Sequence, residues 1–277
     1  GVVAEPGATL TLVGSHVVRC VASFNGGGVA GGGATVLLRG GSSISHSASY
    51  YGGGGLSMFD TVNFGGEAYL SEGASVVGCT GLSFGGGVIG PGIYGALSVT
   101  DATVANCSAS DAGGGVVHWG GATMTYSNAA VSRCSTWAPL FAYGGGVFGV
   151  ELLGLAAPCL LTSGSAITDC STSRNGGGFS IMVGHSLTLD SGSSITRCSA
   201  GGGGGGGSFL GSLELRGGSS ISECEAGSVG GAVNVNGQGL VVRLTDSSLD
   251  SNVALGGGGG AVALSLDSKL LVLRSHL

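Results

Sequence analysis

The residues whose type and spacing most invite chemistry are the eight cysteines. Seven of them, Cys20, Cys79, Cys107, Cys134, Cys170, Cys198 and Cys224, each follow a β-branched residue by three positions, and Cys159 stands apart. No C-x-x-C pair and no Cys/His spacing matches a zinc site, so neither a metal nor a cofactor is expected. Hydrolytic or eliminative chemistry on a polysaccharide would need carboxylates paired on one face. The 15 acidic residues are instead scattered along the chain, and the five histidines (His16, His46, His118, His185, His276) share no repeating position. The sequence therefore reads as non-enzymatic. One surface patch is conceivable, in which His118, Trp119 and Tyr126 would stack on a sugar.

The elements that position the cysteines emerge from internal repetition. The apolar residues at the phrase centres are Val17, Ile44, Val76, Val104, Val131, Ile167, Ile195, Ile221, Leu249 and Leu277, separated by 27, 32, 28, 27, 36, 28, 26, 28 and 28 residues. Twelve residues after most of these anchors, beyond a glycine run, comes another apolar residue: Val29, Leu56, Val88, Val116, Phe179, Val233. Before the anchors lie alternating pairs such as Leu187/Leu189 and Leu213/Leu215. Alternation this short marks a strand with one buried face. No single repeat can bury its strands alone, but stacking repeats about 4.8 Å apart as parallel strands buries them all. The fold expected is all-β: a right-handed parallel β-helix of nine to ten coils, roughly 28 residues each, with three strands per coil. The right hand follows from the usual chirality of parallel crossovers. Residues 1–277 form one solenoid, and starting at Gly1 and stopping at Leu277 within a repeat suggests a segment of a longer array. The long coils place inserted loops near 57–68 and 148–158.

Composition agrees. Glycine is 62 of 277 residues, clustered in runs rather than at every third position, and proline is only 4, which excludes collagen. Charged residues are 9%, yet hydrophobic ones are 43%, so core material is ample and disorder is excluded. A net charge of −6 leaves no basic stripe for nucleic acid. The apolar window from Val147 to Leu161 is broken by Glu151 and Pro158 and reads as buried coil rather than a membrane span. No phosphate-loop signature occurs, so the glycine runs read as corners and close approaches of backbone.

In a stacked coil, equivalent residues form columns. Three residues past the anchors run Cys20, Ser47, Cys79, Cys107, Cys134, Cys170, Cys198, Cys224 and Asn252, a structural ladder at an inward bend. Neighbouring rungs bring cysteine Cα atoms within disulfide range, but parallel Cβ vectors suit a bridge poorly. Buried thiols and rung-to-rung disulfides such as Cys198–Cys224 both remain open. Two residues past the anchors lies an outward column in which Arg133, Asp169, Arg197 and Glu223 alternate in sign, fixing register between rungs. Asn106, in the same column, opens the one N-x-S sequon, Asn106-Cys107-Ser108, and is a possible N-glycosylation site.

GGAV occurs at Gly230–Val233 and Gly259–Val262, and L-D-S-N at Leu249–Asn252. This grammar resembles the repeats of chlamydial polymorphic outer-membrane proteins and other right-handed β-helix repeat proteins of pectin lyase-like fold, with cysteine in place of most ladder asparagines. The resemblance implies an extracellular or surface-displayed structural or adhesive β-helix. The function expected is a building block of a fibre, wall or surface appendage that associates with itself, with matrix proteins or with glycans. A carbohydrate-binding adhesin is the alternative, and a polysaccharide lyase or hydrolase is less favoured.

Overall fold

The computed structural model describes residues 1–59, 65–92, 94–139, 142–150, 157–265 and 267–277. Among these no helix occurs, so none is long and apolar enough to cross a membrane. The chain is a parallel β-solenoid of about nine turns with four sheets, where three were expected. We name the sheets by their order within a coil. In the first coil sheet A begins at Val2–Val3, B at Thr9–Val13, C at His16–Val18 and D at Val21–Ala22. Sheets A and B have ten strands, C and D nine.

The anchors are the centre of sheet C, in register from Val17↔Ile44 to Ile195↔Ile221 and Ile221↔Leu249. Leu277 falls one residue beyond an isolated Ser248↔His276 bridge and so extends the same column. Sheet D was missed because its strands are two residues long, as at Ser171–Thr172, too short for alternation to show. The residues blurred by glycine runs also resolve. Gly207 occupies the apolar column of sheet A between Phe179 and Val233, and the ring of Phe209 fills the space its side chain leaves.

Sheets A, B and C enclose one continuous apolar core, from Val17 and Val29 through Leu244 and Leu249, with Val2 and Leu270 packed against its ends. Four corners of the coil use left-handed backbone. One precedes sheet C (Gly14, Gly41, Asp101, Asn128, Asp246), one lies between C and D, one opens each glycine triplet (Gly26 through Gly230), and in most coils one lies between A and B (Gly7, Gly33, Gly120, Gly184, Gly239). The C–D corner is the outward column itself: Arg19, His46, Gly78, Asn106, Arg133, Asp169, Arg197, Glu223 and Ser251 all have φ between 52° and 65°. Only one of these nine is glycine, so the stacked coils hold the others in a conformation that L-residues adopt reluctantly.

Extra length in the long coils falls between Ser57 and Glu67 and between Val150 and Pro158, at the A–B corner, and in the second of these coils also between Thr136 and Val147, before sheet A. Of the two loops expected there, residues 60–64 and 151–156 lie outside the described residues.

Candidate functional site

Inside the C–D corner the thiols form the ladder. All eight cysteines are free, and Cys79 through Cys224 are buried. Each ladder thiol donates to the carbonyl two residues before it, as Cys107 Sγ does to Ala105 O at 3.2 Å and Cys224 Sγ to Ser222 O at 3.2 Å. From Cys79 onward each also leans on the anchor carbonyl of the preceding coil, as Cys107 does on Val76 O at 3.7 Å. The ladder N–H of one coil points to the sulfur of the next, from Cys107 to Cys134 and from Cys170 to Cys198. Ser47 and Asn252 do the same work at the ends. Ser47 Oγ accepts the Cys20 N–H at 3.2 Å, while Asn252 Oδ1 accepts the Cys224 N–H at 3.0 Å and its Nδ2 donates to Ile221 O at 2.9 Å. The column thus suits any short side chain carrying both a donor and an acceptor.

Neighbouring thiols act on one another's ionisation. Interaction with the adjacent thiols, followed by burial, raises Cys79, Cys170 and Cys224 above the ordinary thiol range. Both flanking thiols favour the charged form at Cys134 and Cys198, against burial. Cys159 lies on sheet B, opposite Met124 and Leu187, and burial alone raises it.

On the outside, the alternating charges meet once in a direct ion pair. Arg197 Nε and Nη2 donate to Asp169 Oδ1 and Oδ2 at 2.8 and 3.1 Å. Arg133 reaches Asp169, and Glu223 reaches Arg197, only through longer-range attraction. Two further inter-coil pairs escaped sequence reading because they sit in other columns: Asp246–Arg274 at 2.6 Å and Asp190–Arg216 at 2.9 Å. Asn106 is exposed at its left-handed corner.

The expected sugar-stacking patch of His118, Trp119 and Tyr126 does not form. Strand alternation puts Val116 and His118 inward and Val117 and Trp119 outward, so His118 and Tyr126 are each only 1% exposed. His118 instead meets His185, two coils on, with ring centroids 5.4 Å apart and planes at 76°. Gly149 and Ala157 occupy the intervening coil and leave room for both rings. Burial and the neighbouring His185 lower the His118 pKa to about 4, partly opposed by a hydrogen bond to the Ala122 carbonyl. That unshared space in the middle coil is the only signal from which the pairing could have been read.

A second cluster lies outside sheet A. The outward residues Ile89, Val117 and Phe148 are buried beneath Phe84, Trp119, Tyr143 and Met182. The third left-handed corner folds the chain back, so residues just before the glycine triplets form a lip bridged from coil to coil, Phe84 to Ala112 to Tyr143 to Asn175. Rings run along this trough: Phe24 stacks on Tyr51, Tyr51 meets Phe84, and Phe84 meets Trp119 at 5.4 Å. Further along, the outward residues turn polar, with Ser180, Ser208 and Asn234 replacing Val117 and Phe148. Here a cavity of about 120 Å³ opens. Among the described residues no cluster of three or more His, Cys, Asp or Glu side chains is arranged to hold a metal. Comparison with protein-family models, with curated proteins and with solved structures finds no match to this chain.

Proposed function

We propose that the chain is a non-catalytic structural solenoid, a stiff extracellular or cell-surface element from which a fibre, wall or appendage is built. The observation that carries this reading is the continuity of one core through every coil, with Val2 and Leu270 packed at its two ends. Nothing in that core divides the rod into independently moving units, and in such arrays stability is shared between neighbours. The inter-coil ion pairs Asp169–Arg197, Asp190–Arg216 and Asp246–Arg274 also run along the rod axis. Likeness to the chlamydial polymorphic outer-membrane repeats, with cysteine at most ladder asparagine positions, supports surface display and association with copies of itself or with matrix proteins. The exposed Asn106 sequon is compatible with that setting.

Immunogold labelling of source cells with antibody to this segment tests the reading. Label along surface fibres or wall is expected, and label confined to the cell interior overturns it. Release of reducing or unsaturated ends from a panel of polysaccharides by the purified protein would overturn the non-catalytic part.

A further inference from the structure

We propose that the polar end of the trough on sheet A binds a neutral saccharide, a role beyond that of a rod. The cavity of about 120 Å³ is lined by Tyr143, Asn175, Ser180, Met182, Ser208 and Asn236, among others. Three features of this lining select the ligand. Among the described residues no Asp, Glu, Lys or Arg lines it, so a charged ligand would meet no counter-charge from them. The serine hydroxyls and asparagine amides each offer a donor and an acceptor, which matches neighbouring sugar hydroxyls that also do both. Met182, Leu210 and the Tyr143 ring supply an apolar wall for the C–H face of a pyranose.

The lining is also fixed in place. Tyr143 is stacked on Phe148 with ring centroids 5.9 Å apart and 20° between planes, and its backbone bridges both Ala112 and Asn175. Asn175 Oδ1 accepts the Gly203 N–H at 2.9 Å, which orients its amide and leaves the Nδ2 donors for a ligand. Ser180 and Ser208 stand in register on adjacent strands, so their hydroxyls are spaced by one coil along the rod axis. The hydroxyls of Ser180 and Ser208 and the amide of Asn236 make no hydrogen bond to other described residues, which leaves the cavity rich in polar groups to be satisfied from outside. A preformed concave site with an apolar wall and a few convergent polar groups is the usual form of a small-molecule pocket. Toward the preceding coils the trough continues over the partly exposed rings of Trp119 and Phe84, so a chain of sugars has a ring-lined path beyond the first unit.

The test is calorimetric titration of the purified protein with neutral gluco-, manno- and chito-oligosaccharides, alongside an oligogalacturonate as the charged comparison. At least one neutral series is expected to bind and the oligouronate to fail. Asn236→Ala and Ser208→Ala, which change no core contact, are expected to weaken binding by about tenfold each, the loss of one hydrogen bond to a ligand. Circular dichroism melting checks that both variants remain folded. Failure of every neutral series, equal binding of the oligouronate, or unchanged binding by the Asn236→Ala/Ser208→Ala double variant would each overturn the proposal. The rod reading is untouched by any of these results, because it is read from the position of the protein on the cell.

Discussion

Between sheets A, B and C the coil encloses a chamber filled by Val, Ile, Leu and Phe side chains, whereas at its opposite edge two stretches of backbone touch. There the middle glycine of each triplet lies on the first residue of a sheet D strand in the next coil. A Cβ on Gly86 would sit 2.2 Å from Ser108 O, on Gly145 2.2 Å from Ser171 O, and on Gly177 2.4 Å from Ser199 O. The third glycine is less strictly confined: an anchor side chain and a ladder thiol crowd Gly115, through Val131 and Cys134 Sγ, yet Ala232 stands at the same place in its coil. The chamber tolerates changes of shape because side chains can rotate. The pinched edge cannot, because its neighbours are peptide groups already committed to inter-coil hydrogen bonds such as Gly177 N–H to Gly204 O.

The most damaging way to probe this difference is a single methyl at the pinch. Gly177→Ala should destabilise the protein by about 3 kcal/mol or more, since overpacking against backbone leaves little room to relax. Gly65→Ala, where a Cβ meets nothing within 4 Å, should be close to neutral. Urea unfolding of the two variants measures both, and equal losses would remove the distinction.

The chamber has its own weak point at His118. Its folded pKa, about 4, lies below the ordinary 6.5, so the folded state favours the neutral ring. Stability from this group is therefore complete above about pH 6.5 and is lost as pH falls toward 4, on the order of 3 kcal/mol over that window. His185 is the titratable group facing it, and the Ala122 carbonyl is its hydrogen-bond partner. His118→Leu should flatten the part of the pH–stability curve between 6.5 and 4 relative to the parent protein. An unchanged slope would place the proton elsewhere.

Milder changes within the chamber should confirm its tolerance. Leu189→Met keeps volume and should cost less than about 1.5 kcal/mol in the same unfolding assay. Tyr126→Phe should raise stability by about 1 kcal/mol, because the Tyr126 hydroxyl is buried without a hydrogen-bond partner among the described residues.

Much of this architecture was legible because stacking turns one coil's requirement into a column. Ile195, Ile221 and Cys198 could be placed from spacing alone, since each solves the same packing problem in every coil. Sheet D was hidden because two residues such as Ser199–Ala200 carry no period. The B–C corner was hidden differently. Its buried Ser42, Ser165 and Ser193 cap carbonyls three residues back, at 2.6 to 2.7 Å, yet in sequence they look like ordinary loop serines. The trough on sheet A and the His118–His185 contact were illegible for another reason. They depend on how the chain folds back over its own sheet and on residues two coils apart, and a column-by-column reading contains neither relation.

The smallest effect is expected on the outer surface, and it separates what fixes register from what decorates it. Arg197 holds the Asp169 carboxyl below the usual carboxylate range by a two-pronged hydrogen bond, so the pair contributes above that range and is lost as the carboxylate protonates in acid. Both side chains are more than a third exposed, at 52% and 40%, so water and salt screen most of the attraction. Asp169→Asn should barely move the urea midpoint at low salt and leave it unchanged at high salt. Exchanging the two charges, with Asp169→Arg and Arg197→Asp together, should restore the parent midpoint if attraction alone matters. Both positions are left-handed, with φ of 54° at Asp169 and 52° at Arg197, so the exchange leaves one aspartate and one arginine on such backbone as before, and a cost as large as a lost core contact would come from what packs around each corner rather than from charge or φ. Either result locates the setting of register: in the pinched edge and the chamber if the surface is silent, and in the packing of the corners if it is not.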